Sequence, residues 1–372
     1  MPLMNTKLQT AALGIAEAAA LLTSGELVAF PTETVYGLGA DARRPAAVQK
    51  IYAAKGRPAT NPLIVHVAHA AAAQHWAGGA REGGGWSELA QRLADRFWPG
   101  PLTLVVPRGS ARVAGTICPE VSAGLTTVAL RCPDHPVALA LLKAFDGPIA
   151  APSANRSGFV SPTSAAHVYA ELAGRIPFIL DGGSCAIGVE STVLDISRAR
   201  SGNGGGGRPI ILRHGGITRE MIETVIGPVE VFQGHLPAHQ SAASPGMLER
   251  HYAPRTRAYR FRRAQWPALQ AQFATSSAPD ILLTYDATIA LPAPHETILL
   301  PDDTSTYARE LYAALRQADE HAQAPGFHPE LRVVEAGPSG GSSILVLLPD
   351  KEGGLWVAVQ DRLRRATTEY PT

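Results

Sequence analysis

The chain has 372 residues, 45% hydrophobic and 17% charged, a globular composition too long for one ordinary core, and two or three domains are expected. Its net charge of +1 argues against a strongly basic nucleic-acid binder. No apolar run approaches the ~20 residues that span a bilayer, and Met1 to Thr10 carries one lysine and no apolar signal core, so the expected placement is cytoplasmic, with no membrane partner.

The charge is unevenly spread. Residues 1–216 hold 19 basic and 14 acidic side chains, net +5, whereas residues 217–372 hold 14 and 18, net −4. A mildly basic first half suits an anionic substrate such as a nucleotide. Cys118, Cys132 and Cys185 lie far apart without metal-ligand spacing, which argues against a disulfide framework or zinc ribbon.

Ala11 to Thr23 is apolar at helical spacing, with Gly25 placed to end the helix. Strands are expected at 27–30, 63–67, 102–106, 127–131, 148–151, 178–180, 192–196 and 210–213, and further helices at 45–54, 86–98, 135–145 and 164–173. This alternation predicts an α/β domain with a large mixed sheet over residues 1–233. Composition shifts near Gly234, and 234–256 reads as an inter-domain linker. A second series follows in 257–372, with strands at 259–262, 280–285, 297–300, 331–335 and 344–348 and helices at 266–274, 307–322 and 356–366. It predicts a smaller, Rossmann-like doubly wound domain without a dinucleotide fingerprint. The glycine runs 83–85 and 202–207 read as surface loops, since no strand-to-helix frame with Lys-Ser/Thr follows them.

Four polar clusters follow or interrupt strands, where α/β folds place ligands. Pro31 to Gly39 combines hydroxyls, Glu33 and Tyr36 with two glycines that allow close backbone approach. Lys55-Gly56-Arg57-Pro58 with Asn61-Pro62-Leu63 and His66 sets two cations around a glycine, a pattern able to grip phosphates. Ala151 to Gly158, continued by Ser161-Pro162-Thr163, is dense in donors ahead of a helix. Asp181-Gly182-Gly183, Gly188 to Val193 and Arg213-His214-Gly215 form the fourth. Singly, each reads as well or better as turn and cap chemistry. No nucleophile elbow and no metal-ligand set accompanies them, so the chemistry they suggest is an electrostatic clamp.

In this order the blocks P-T-E-T-V-Y-G-L-G, K-G-R-P with N-P-L, W-P-G-P-L-T, A-P-S-A-N-R-S-G with S-P-T, and G-V-E-S-T-V resemble the YrdC/Sua5 family. Ser244-Pro245-Gly246-Met247 and His251-Tyr252-Ala253-Pro254 resemble its Sua5 type, which has an extra C-terminal domain. The resemblance implies a YrdC-like twisted mixed sheet followed by a Sua5 C-terminal domain. It implies that L-threonine, bicarbonate (or CO2) and ATP give threonylcarbamoyl-AMP and pyrophosphate, with Mg2+ accompanying ATP. A downstream tRNA threonylcarbamoyl transferase complex would use the product at adenosine 37 of tRNA. The substrate's own carbamate attacks the α-phosphate, so no side-chain nucleophile is needed, and no protein side chain is expected to hold metal.

Carried over by motif, Thr34, His66, Arg131, Ala151 and Ser191 look like the threonine and carboxylate pocket. Arg57, Asn61, Thr127, Ser153, Ser161 and Arg213 look like ATP contacts. Lys55 and Arg57 are the expected catalytic cations, and Tyr252 resembles a lid residue reaching over the nucleotide. Two rival readings share this fold: a module with weak RNA binding, and a hydrogenase-maturation carbamoyltransferase, whose paired Cys-x-x-Cys sites are missing from the sequence.

Overall fold

A computed structural model describes residues 5–77, 86–108, 116–198, 207–232, 234, 251–273, 280–323 and 342–371. The chain divides into two compact units, Met1–Ser157 with Ser161–Glu249, and Gly158–Val160 with Arg250–Thr372. Most of the expected linker, both glycine runs but for Gly207, and the strand expected at 331–335 lie outside the described residues. No helix among the described residues is long and apolar enough to cross a membrane.

The first unit begins β1 (Lys7–Thr10), α1 (Ala11–Ser24), β2 (Val28–Phe30), β3 (Gly37–Asp41), α2 (Pro45–Lys55), β4 (Ile64–His66), α3 (Ala70–Trp76), α4 (Glu88–Phe97) and β5 (Leu102–Pro107). It continues β6 (Thr127–Arg131), α5 (Pro136–Phe145), β7 (Ile149–Ala150), α6 (Ala165–Leu172), β8 (Phe178–Asp181), β9 (Thr192–Asp195), β10 (Ile210–Arg213), α7 (Arg219–Ile226) and β11 (Glu230–Val231). The described strands form one mixed sheet in the order β1-β8-β2-β3-β7-β4-β6-β5-β9-β10-β11.

Side chains alternate across a strand with period two, and the sheet sorts its apolar residues accordingly. Ala29, Leu38, Val65, Leu104, Val128, Leu130, Ala150 and Leu194 face a core shared with α2, α4 and α6. On the other face Val28, Phe30, Ile149, Phe178 and Leu180 pack under α1 and α5. That second layer covers only the β1 to β7 end. Beyond it, the same face continues as an apolar floor of strand residues, Ile64, Val105, Ala129, Val193 and Leu212.

Five elements of this unit escape the sequence pattern: β1, β3, α3, α7 and β11. In β3 the pattern is hidden by Gly37 and Gly39. A Cβ on Gly39 would stand 2.8 Å from Ile149 Cγ2 and 2.9 Å from the Phe30 ring, so the strand needs glycine for close packing rather than for a turn. Strands β2 and β3 pair antiparallel, which makes Pro31–Tyr36 the loop of a hairpin. Gly39→Ala is therefore expected to cost about 1–3 kcal/mol by overpacking, read as a lower urea midpoint.

The second unit holds β12 (Ala258–Phe261), α8 (Trp266–Phe273), β13 (Ile281–Thr284), β14 (Glu296–Leu299), α9 (Thr304–Gln323), β15 (Ile344–Leu347), α10 (Leu355–Ala366) and β16 (Thr368–Glu369). All described pairings in its sheet, ordered β14-β13-β15-β12-β16, are parallel, which is the expected doubly wound architecture.

Candidate active site

The strand register decides which polar side chains share the apolar floor. Parallel pairing sets Ile64 beside Ala129 and His66 beside Arg131. Antiparallel pairing sets His66 beside Ile149 and Val105 beside Ala129. By alternation Thr127, Arg131, His66, Ala151, Thr103 and Ser191 then lie on the floor's face. Arg213 joins them through a bulge. Ile211 pairs with Leu194 toward the opposite core, and the register shift before Arg213 pairs it with Val193 instead. Bulges commonly re-aim one side chain in this way. Nothing in the local sequence announces the shift.

The hairpin loop is tied to the other clusters by backbone hydrogen bonds. Thr32 Oγ1 donates to the Val35 carbonyl at 2.7 Å and lies 2.9 Å from Thr34 Oγ1, a local turn that buries both hydroxyls. Tyr36 N donates to the Pro162 carbonyl, Ala154 N to the Tyr36 carbonyl, and Leu38 N to the Pro152 carbonyl. Tyr36 Oη donates to the Gly183 carbonyl at 2.7 Å. Burial, above all, raises that phenol's pKa well above its ordinary value and keeps it a donor.

Lys55 ends α2, with Gly56 in the left-handed conformation that caps it. The lysine is buried, and its ammonium donates to the backbone carbonyls of Ser153 and Asn155, with Asn155 Oδ1 at 3.4 Å. It thus holds the donor-rich loop from beneath. Burial first, and then Arg57, lower its pKa well below the usual lysine value, while Glu171 opposes them. Ser153 Oγ donates to Asn155 Oδ1 at 2.6 Å, and Ser161 Oγ to Glu190 at 2.6 Å.

Arg57 is buried and donates from Nε and Nη2 to the carbonyls of Asn61 (3.1 Å) and Pro62 (2.9 Å). This fixes the Asn61 turn, yet among the described residues the Asn61 amide itself has neither Nδ2 nor Oδ1 hydrogen-bonded, although it is only 4% exposed. Thr127 begins β6, half-buried, at the end of the strand pair where Asn61 enters β4. An orphaned buried amide costs about 1–3 kcal/mol or more, and such groups mark places where a ligand or water completes the bonding.

At the opposite end of β6, Arg131 Nη2 lies 2.7 Å from Glu33 Oε1, with both side chains buried. Neither Glu33 oxygen nor Arg131 Nη2 is hydrogen-bonded among the described residues, so the contact is close in distance but off the N–H direction. Arg131 Nε donates to the Gly100 carbonyl at 3.3 Å. Arg213 donates from Nε to the Ser191 carbonyl and from Nη2 to Ser191 Oγ, each at 3.1 Å. Ser191 Oγ also lies 2.8 Å from Thr103 Oγ1.

His66 Nδ1 is buried and unpartnered among the described residues. Burial first, and then Arg131, depress its pKa from 6.5 to about 3, so the ring is neutral at physiological pH. A depressed pKa contributes stability that is complete above pH 6.5 and is lost as pH falls toward about 3. His66→Phe should therefore flatten the acid side of the stability profile by roughly 1.4 kcal/mol per pH unit within that window, measured by urea unfolding at pH 6.5 and 5.

Tyr252 belongs to the second unit. It has φ +62°, is buried, and its ring stacks 5.8 Å from Tyr312 with the Arg362 guanidinium 5.1 Å away. Among the described residues no group of three His, Cys, Asp or Glu is placed to hold a metal ion. Cys118, Cys132 and Cys185 are buried free thiols, each pushed up to about 12 chiefly by burial. Sequence reasoning left out Glu33, Thr103 and Glu190 as partners of the site. Glu33 sits inside a cluster that it singled out, but its distance from Arg131 along the chain hides their pairing.

The first unit thus has the mixed α/β sheet of a large catalytic-type domain, with buried cations and oriented donors gathered on one sheet face. Residues 20–215 match the family described as "Telomere recombination", and residues 217–368 match "Threonylcarbamoyl-AMP synthase, C-terminal domain". The chain is 39% identical to the threonylcarbamoyl-AMP synthase of Pyrococcus abyssi over 94% of this chain and 93% of that one. It is 52% identical to that of Bacillus subtilis over a stretch spanning 64% of each chain. The structure of P. abyssi Sua5 complexed with L-threonine superposes with a TM-score of 0.77 at 36% identity, covering 99% of both chains. The chain belongs to the two-domain Sua5 branch of the threonylcarbamoyl-AMP synthase family.

Proposed function

We propose that this chain is a nucleotidyltransferase that makes threonylcarbamoyl-AMP from L-threonine, bicarbonate or CO2, and MgATP, releasing pyrophosphate. The observation that carries the reading is the floor of the first unit. It gathers Arg131, Arg213, His66 and Ser191 on one sheet face, with the Arg57-braced, orphaned Asn61 at the far end of the same strands. An amino acid and a nucleotide need two such poles.

In this reading Arg131 takes the α-carboxylate of threonine. Thr34, His66, Ala151 and Ser191 enclose its side chain and carbamate. Arg57, Asn61, Thr127, Ser153, Ser161 and Arg213 receive ATP. His66, being neutral, offers a hydrogen bond without a charge. Lys55 acts by positioning the Ser153–Asn155 loop, to whose carbonyls its amino group donates. Threonine's free amine adds to CO2 and loses a proton, or condenses with bicarbonate and loses water, to give a carbamate, whose oxygen attacks the α-phosphorus as the bond to pyrophosphate breaks. The nucleophile is thus the substrate's own, and catalysis rests on proximity and charge. Magnesium enters with ATP as part of the substrate, held by phosphate oxygens and water. The product is a labile mixed anhydride destined for a tRNA-modifying transferase in the cytoplasm.

Purified chain with ATP and bicarbonate should release pyrophosphate in proportion to threonine. Serine, lacking one methyl, should be about 10- to 200-fold poorer in kcat/KM. Equal release with serine would remove the threonine assignment. Tight RNA binding with no pyrophosphate release would favour the RNA-binding module instead.

A further inference from the structure

We propose that Glu33 is a substrate-binding residue that receives the α-ammonium group of the incoming amino acid. With Arg131 it forms a two-charge reader of the zwitterion. This rests on the threonine reading given above and adds to it a residue that the motif carry-over did not assign.

The argument begins with an unfinished ion pair. Glu33 is 5% exposed and Arg131 3% exposed. Taking two charges out of water is repaid only when the geometry is good and the remaining lone pairs and N–H groups find partners. Here the charges are 2.7 Å apart, but neither Glu33 oxygen accepts a hydrogen bond among the described residues. Among the same residues Arg131 Nη2 donates none. A purely structural pair would be expected to align its N–H groups with the carboxylate and to satisfy its second oxygen from neighbouring amides. The Glu33 backbone is held, with its carbonyl accepting from Ile187 N at 2.8 Å, so the side chain is presented by a fixed loop.

The unmet bonds match one ligand chemistry. An α-amino acid carries an anion and a cation on one carbon, so laid across this pair it meets each charge with its opposite. Its carboxylate accepts from the Arg131 fork, and its ammonium donates to the open Glu33 oxygens. Threonine's hydroxyl then falls beside the Thr32–Thr34 turn, whose hydroxyls lie 2.9 Å apart. A carboxylate at Glu33 also orders events. It favours the free amino acid as the species that enters. Once the ammonium has given up a proton to solvent and the free amine has added CO2 with loss of a second proton, the resulting anionic carbamate is repelled from Glu33 and directed away from it, toward the nucleotide pole.

Two ligands separate this role from a structural one: L-threonine, and its deamino analogue in which a hydroxyl replaces the amino group. Both can use Arg131, but only threonine can use Glu33. Calorimetric titration of the whole chain should show a preference for threonine of about ten- to a hundredfold. Glu33→Gln should bring that ratio close to one while the analogue binds at least as well as before. A ratio unchanged in Glu33→Gln, with threonine-dependent pyrophosphate release intact, overturns the role of Glu33 and leaves the threonine reading standing. Wild-type protein that binds neither ligand overturns both. If Glu33→Gln does not fold, Glu33→Asp retains the charge one methylene further back. There the ratio should shrink without vanishing, and an undiminished ratio counts against the proposal.

Discussion

Lys55→Met should lower kcat/KM for pyrophosphate release by roughly a hundredfold and destabilise the chain by about 2 kcal/mol. Both effects follow from one set of contacts. The buried ammonium donates to the carbonyls of Ser153 and Asn155, and a methionine leaves those acceptors without a donor, at about 1–3 kcal/mol for a buried group. The loop then relaxes, and a displacement of about 1 Å in positioned groups costs about a hundredfold in rate. A distinct pH signature accompanies the loss. Because Lys55 is held well below its unfolded pKa of 10.5, the unfolded chain binds more protons between the two values, and stability rises with pH across that window. The variant should lack this rise. If activity falls while urea stability and its pH profile stay unchanged, the ammonium acts on the substrate and not on the loop.

The local clusters of the candidate site are legible in the sequence, because its blocks are short and local. Pro31–Gly39, Lys55–Asn61 and Ala151–Ser161 each supply their groups within one turn, and the glycines and prolines mark the turns. The α/β alternation was equally open, since apolar runs such as Leu102–Val106 and Thr127–Arg131 coincide with β5 and β6. Long-range pairing was hidden. Glu33 meets Arg131 because β2, β3, β7, β4 and β6 lie side by side, an order that no local pattern encodes. Arg213 reaches the floor through a one-residue bulge, and a regular strand would have turned it into the core. β3 was invisible for a related reason. Its glycines look like loop, yet Gly39 is there to let Ile149 and Phe30 approach. Strand propensity is overridden at that point by packing.

Arg131→Met should abolish threonine-dependent release, a loss of at least a hundredfold, and should also destabilise the first unit. Removing one partner leaves the Glu33 carboxylate buried without its counter-charge, which typically costs 3–5 kcal/mol. The off-axis contact and unfilled hydrogen bonds of this pair place it at the lower end, about 3 kcal/mol. The double replacement Glu33→Met with Arg131→Met then separates stability from function. With both charges gone the desolvation penalty goes too, and the two apolar side chains should restore most of the urea stability. Activity should not return, because the amino acid has lost both of its poles. Arg131→Lys tests the geometry in between. It keeps the charge opposite Glu33 and so most of the stability, but a point charge cannot reproduce the planar fork. Its loss should fall mainly on KM for threonine. If the double variant is as unstable as Arg131→Met alone, the arginine is held by packing rather than by charge. The off-axis pair would then be a consequence of the fold and not a site kept open for ligand.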